Sequence, residues 1–352
     1  MKVLHLSKRM ASALISLIML ANLGCSESSP DDEKIDDSAG PKIYVAGTKP
    51  ENQNTSVAEL WVNNAPLNIS SNNNPGIANS VFVSGNDAYV AGYELSGNNN
   101  IATVWKNGTP TQLTDGTTNS TSASIFVDGN DVYVAGDEVG NIGFNARLWK
   151  NGIATDLSDG KQSRARSVFI SNGDVYAAGW QLHNIEFTAV VWKNGVSTPL
   201  TDSSKFASAT SVYVSNGNVY VGGSEYNNES DKTLVAKIWK NGTPINITDG
   251  TKNALIEDVL VSGDDVYAVG WEMLGNASEE VATLWKNGVP TRLTDGSKNA
   301  RANSIFIHND DIYVAGSERG AQNDKAMLWK NGVATSLTDG KNLGRAFSVF
   351  IK

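Results

Sequence analysis

Seven short strands, most reading Tyr-Val-Ala-Gly or close to it, are each followed by two residues whose types could do chemistry. The first of the two is Thr48, Tyr93, Asp137, Trp180, Ser224, Trp271 and Ser317 in turn, so Tyr93, Trp180 and Trp271 occupy a slot that is otherwise small or polar. Aromatic side chains presented this way can stack on the apolar face of a sugar ring or on a partner side chain; equally, they can pack between neighbouring units. The second is Lys49, Glu94, Glu138, Gln181, Glu225, Glu272 and Glu318. Its five carboxylates suit a cation or polar ligand, or an acid and base pair such as Glu225 and Glu272. Alternatively, each accepts loop hydrogen bonds or pairs with a base in a neighbouring loop, such as Arg166, Lys252, Arg301 or Arg345. Acid–base catalysis needs two environments that push the pKa values apart, and near-identical repeated glutamates offer none.

The elements that position these residues repeat. Tyr44, Tyr89, Tyr133, Tyr176, Tyr220, Tyr267 and Tyr313 mark one strand of each copy, and Trp61, Trp105, Trp149, Trp192, Trp239, Trp285 and Trp329 mark the next, within WKNG except for WVNN in the first copy. A third element, SVFV-like, begins at Ser80, Ser124, Ser167, Ser211, Asp258, Ser304 and Ser348. Each copy reads as four strands: a (SVFV), b (DVYVAG), c (ATLWKNG) and d (TxLT), all short and rich in β-branched or aromatic residues between turn signals. Asn-Gly between c and d supplies the positive φ angles of a tight hairpin.

One four-stranded unit cannot bury both of its faces, so seven stacked units imply an all-β, seven-bladed β-propeller over residues 42–352. The last SVFV element has no tyrosine strand after it and the first tyrosine strand has no SVFV element before it. Strand a from the C-terminus should therefore complete the N-terminal blade and remove an open edge. The a–b and c–d turns fall on one rim, while the b–c and d–a loops fall on the other. Length variation is concentrated in the b–c connections, longest from Gly223 to Trp239 and from Gly270 to Trp285. That rim, or the axis beside it, is where a ligand is expected.

The pattern ATLWKNGxxTxLTDG, then SVF and VYVAG, resembles the bacterial extracellular repeats of the HAF family and, more broadly, propeller lipoproteins. The resemblance covers residues 42–352, with a degenerate first copy, Asp202-Ser203 in place of Asp-Gly, and no His-Ala-Phe before the tryptophan. It implies a fold and brings no reaction with it. The repeated tryptophans read as core, and Lys106 to Lys330 in the WKNG turns read as solvated charges.

Lys2, Lys8 and Arg9 precede the apolar run Ala11–Leu23, which is the form of a signal peptide over residues 1–24. Gly24-Cys25 then resembles a bacterial lipobox, with Asn22 where that pattern prefers Leu, and implies lipidation at Cys25. Ser26 after the cysteine implies sorting to the outer membrane, and the acidic run resembles surface-export tethers. Residues 25–41 hold almost nothing apolar and read as a flexible acidic tether. Cys25 is the only cysteine, so the body has no disulfide, thiolate cluster or catalytic thiol, and only His183 and His308 remain beyond the leader. The formal net charge is -9, which disfavours nucleic acid and leaves the lipid anchor as the only membrane contact.

No cofactor is indicated. Asp115, Asp159, Asp202, Asp249, Asp295 and Asp339 sit in turn-forming pairs on the variable rim, and no DxDxDG-like run gathers calcium ligands, though a bound calcium stays open. The leading expectation is a monomeric, exported, non-enzymatic binding propeller that engages a glycan or protein. The alternatives are an extracellular carbohydrate-active hydrolase or lyase using rim carboxylates, and a structural partner in an envelope assembly.

Overall fold

A computed structural model describes residues 40–51, 55–228, 230, 232–275 and 279–352. The signal peptide, Cys25 and nearly all of the tether lie outside the described residues.

Residues 41–352 form seven four-stranded antiparallel sheets, each in the order a-b-c-d. The a strands lie innermost and pack on one another around the axis. In the closing blade, Arg345–Ile351 serves as strand a beside Ile43–Pro50, followed by Ser56–Val62 and Ala65–Asn68. The ring is closed as the sequence implies. The seven repeated tryptophans are all at most 1% exposed, each packed between blades.

The Asn-Gly turns adopt the expected conformation, with φ of 50° at Asn107 and 79° at Gly108. Their lysines are exposed, as the sequence implies, and five of them are also ion-paired. Lys106 lies 2.7 Å from Asp87 and over the Tyr89 ring, while Asn107 Nδ2 donates to the same aspartate. The unit recurs at Lys150, Lys193, Lys286 and Lys330. These lysine and asparagine bonds hold the Asp87 carboxyl below the usual aspartate range. The pairing has a simple origin: strand register places the DVY aspartate beside the WKNG lysine on the same rim, across the b–c pair.

Strand a carries the two features that build the axis. First, the SVFV serine stitches neighbouring blades. The inner edge of strand a would otherwise leave backbone N–H groups unpaired. Instead Ile125 N donates to Ser80 Oγ at 3.2 Å, Val168 N to Ser124 at 3.2 Å and Val212 N to Ser167 at 3.1 Å. Val259 N, Val349 N and Val81 N likewise reach Ser211, Ser304 and Ser348. Asp258 replaces serine in the sixth blade; it accepts from Ile305 N at 3.0 Å, from Ser211 Oγ at 2.7 Å and from Val259 N at 2.9 Å, the last of which also reaches Ser211. The circle has seven bonds. Burial pushes the Asp258 carboxyl up, against the opposing effect of these hydrogen bonds. Asp258→Ala strands two donors and should cost about 1–3 kcal/mol in chemical denaturation, whereas Asp258→Ser restores the repeated stitch and should stay within about 1 kcal/mol. Equal losses in both would show that the stitch contributes nothing.

Second, every strand a contains a β-bulge. In the second blade the register slips between Ala78 and Ser80, so Asn79 is the extra residue; the same slip recurs in the blades that follow and in the closing strand. Below the bulges, towards the a–b turns, Phe82, Phe126, Phe169 and Tyr213 pack ring to ring at 4.7–5.0 Å, and Phe306, Phe350 and Phe82 continue the collar. In the sixth blade Leu260 stands at the corresponding register position, opposite Tyr267.

Candidate functional site

A bulge inserts one residue into an otherwise alternating strand and re-aims it. Here the seven extra residues are Asn79, Ala123, Arg166, Thr210, Glu257, Asn303 and Phe347, and all seven line a single axial cavity of about 770 Å³. The cavity includes the beginnings of the a strands and the ends of the b strands, so it belongs to the rim of the b–c and d–a loops. Its size falls within the roughly 300–1,000 Å³ typical of small-ligand pockets.

The wall is polar and mostly paired. Arg301 makes a two-pronged bond to Glu280, both contacts at 2.5 Å, and its guanidinium lies 5.2 Å from the Trp271 ring centre. Arg345 donates twice to Asp324, at 2.8 and 2.6 Å, and Arg319 approaches the same carboxylate at 3.4 Å. Asp137 accepts from Thr121 Oγ1 at 3.1 Å and lies 3.8 Å from Arg164, which stacks on Phe144. Burial pushes the Asp137 carboxyl up, and the Arg164 guanidinium acts against that rise. Burial likewise raises Glu257, with the positive charges of Arg166 and Arg301 opposing.

The residues expected from sequence lie elsewhere on the blades. None of Tyr93, Trp180, Trp271, Glu94, Glu138, Glu225, Glu272 and Glu318 lines the axial cavity. Trp180 and Trp271 are 7% and 6% exposed. Trp180 stacks on Phe187 at 4.2 Å, and Trp271 backs Arg301 in the funnel wall. Tyr93 is half-buried, and its surroundings push the phenol upward. Glu272 borders a smaller cavity of about 330 Å³ together with Lys252 and Met273.

The glutamates are engaged within or beside their own blades. Glu94 accepts from Ser71 N, Glu138 from Arg147 Nε at 3.2 Å, and Glu225 is bonded to Lys237 with Lys205 at 3.9 Å. Glu272 faces Thr283 and Arg292, and Glu318 faces Lys325 and Lys298. Their bases come from strands c and d as well as the d–a loops; Arg301 and Arg345 are bonded to Glu280 and Asp324 instead. The first blade reverses the pair, with Lys49 at the glutamate position and buried Glu59 opposite it at 3.3 Å. Such a charge swap preserves an internal pair, and it accounts for these glutamates through blade structure.

The bulged positions carry a sequence signal: between a small or aliphatic residue and the stitching serine or aspartate, the slot reads Asn, Ala, Arg, Thr, Glu, Asn, Phe inside a nearly constant frame. The Asp-Gly loops are turns, in which Asp115 and Asp249 accept backbone N–H bonds two residues on, at 2.9 Å. Among the described residues, no group of three or more His, Cys, Asp or Glu side chains is placed to hold a metal ion.

No family model and no curated protein sequence matches this chain. Among solved structures, Pyrococcus horikoshii acylaminoacyl peptidase is similar over 84% of this chain and 52% of its own, at 12% identity and a TM-score of 0.50. Kuenenia stuttgartiensis hydrazine synthase matches 89% of this chain and 46% of its own at 12% identity (TM-score 0.49). A Trypanosoma rangeli sialidase mutant displaying trans-sialidase activity matches 78% and 54% at 10% identity (TM-score 0.45). The chain spans about half the length of these proteins, and the likeness to the peptidase, at 12% identity, bears on the fold alone.

Proposed function

We propose that this chain is a non-enzymatic binding propeller that takes a glycan at the axial cavity of its b–c and d–a rim. In this reading the protein is exported, acylated at Cys25 and held at the outer membrane by the acidic segment that follows. The observation that supports the binding role is the bulged ring: the slot of strand a that takes the most residue types, six over seven blades, is directed into a cavity of ligand size. The aromatic and glutamate positions of strand b then serve as the supporting wall. Screening the full chain on a glycan array, with and without calcium, beside Ala123→Trp tests the reading. A bound saccharide should be lost when the new indole fills the cavity. Retention would move the ligand off the axis, and no bound saccharide in any condition would remove the glycan.

One observation favours a second reading, a carbohydrate-active hydrolase or lyase. Glu257 lines the cavity with no hydrogen bond among the described residues and burial raises its carboxyl, whereas Glu280 in the same cavity is bonded to Arg301, so the two carboxyls stand in different environments. Depolymerisation of a bound saccharide that disappears in Glu257→Gln would select it.

A further inference from the structure

The bulged ring divides into side chains that the fold uses and side chains that it does not. Asn79 Nδ2 donates to Ser122 O at 2.9 Å, Thr210 Oγ1 to Ile256 O at 2.7 Å and Asn303 Nδ2 to Ala346 O at 2.7 Å, so each ties its blade to the next. Ala123 has no polar group. Arg166 and Glu257 have neither a hydrogen bond nor a close ion pair among the described residues, although both line the cavity. Phe347, half-buried, adds the ring's only apolar ring system. Blade order sets these three apart: Arg166 and Glu257 flank Thr210 in the fourth and sixth blades, and Phe347 lies in the closing blade, two blades from Glu257 and three from Arg166.

Charge narrows the ligand. The cavity is lined by five arginines and four carboxylates, an excess of one positive charge in a chain whose formal net charge is -9. A neutral zwitterion would leave that excess unanswered, and a wholly apolar ligand would desolvate Arg166 and Glu257 without replacing their hydrogen bonds. A guanidinium fork matches a planar carboxylate, an unpaired carboxylate accepts bonds from hydroxyls, and an aromatic face receives the C–H face of a pyranose.

We propose that the axial cavity is a subsite for an acidic sugar, bound with its carboxylate on Arg166, its hydroxyls on Glu257 and its C–H face on Phe347. This rests on the glycan reading above and specifies its ligand class. The full chain is titrated calorimetrically with a linear tetrasaccharide of uronic acid residues, its methyl ester, its neutral parent and a sulfated neutral tetrasaccharide. The acid should bind at least about tenfold more tightly than the ester or the parent, the difference expected for one charge-assisted pair of about 1.5–3 kcal/mol. Arg166→Met should erase that preference, and Glu257→Gln should weaken the acid and the ester alike. Neither variant should lower the melting temperature appreciably, because neither side chain makes a hydrogen bond or a close ion pair among the described residues and the two act on each other only at longer range. If acid and parent bind equally and Arg166→Met changes nothing, the acidic-sugar inference fails while the glycan site stands. Equal binding of the sulfated sugar would overturn the carboxylate specificity. If no saccharide binds, the glycan reading itself fails, and if Ala123→Trp leaves binding intact the saccharide lies off the axis and this subsite is wrong.

Discussion

A chain ending at Gly344 is expected to lose the cooperative unfolding transition of the intact protein. The missing residues supply strand a of the closing blade, paired with Ile43–Thr48 along one edge and packed beside the a strands of both neighbours. Their removal exposes the apolar surface that Val349 and Ile351 cover, takes Phe350 from between Phe82 and Phe306, and leaves Asp324 without Arg345. It also breaks the serine circle twice, since Val81 N loses Ser348 and Ser304 loses Val349 N. What remains of the first blade is three strands with a bare inner edge facing the axis, a template for pairing with other chains. Damage to two interfaces and one edge together is expected to be comparable with a domain's whole stability, about 5–15 kcal/mol. Urea titration followed by near-ultraviolet circular dichroism checks it, with a synthetic peptide of residues 345–352 added back. An unchanged midpoint in the truncated chain would show that closure is not what holds the ring, and recovery with the peptide would show that it is.

That closure was legible in the sequence because it is a matter of counting: an a element without a b at one end and a b without an a at the other. The tryptophan core and the Asn-Gly turns were legible for related reasons, since strict repetition marks what every blade needs and turn chemistry is local. The axial site was not legible by the same means. Alternation assigns successive residues of a strand to opposite faces, and a bulge breaks that rule by one residue. Read by period two, Arg166 and Glu257 are ordinary members of strand a, and Arg166 appears only as a base for a neighbouring glutamate. The glutamates after Val-Ala-Gly drew attention because they repeat, yet the Lys49–Glu59 reversal ties that repetition to blade architecture. Chemistry specific to one ligand is better sought where the repeats disagree.

Gly270→Ala is the second change expected to have a large effect, and it tests how the bulge is encoded. A Cβ at Gly270 would sit 1.9 Å from the carbonyl oxygen of Leu255 and 3.1 Å from Cα of Ile256. Both are backbone atoms of the facing strand, so no side-chain rotation relieves the clash. The same approach, 1.9–2.1 Å, recurs at Gly47, Gly92, Gly136, Gly179, Gly223 and Gly316, each opposite the carbonyl two residues before the bulged position. The requirement is space rather than backbone conformation, because none of these glycines has a positive φ. Relief demands that strands a and b separate or that the bulge straighten, so the expected loss is about 3 kcal/mol or more, at the upper end for overpacking. Gly97→Ala is the control: its φ is +61° and nothing lies within 4 Å of the added Cβ, so it should cost only about 1–2 kcal/mol. Similar midpoints for the two variants would refute the clash. If the clash holds, the bulge is imposed by the glycine of strand b and not by the residue that it re-aims. Glu257 could then be exchanged for Asn, Arg or Phe, as other blades do, without loss of the fold, which is how a uniform repeat presents six kinds of side chain to the axis from seven blades.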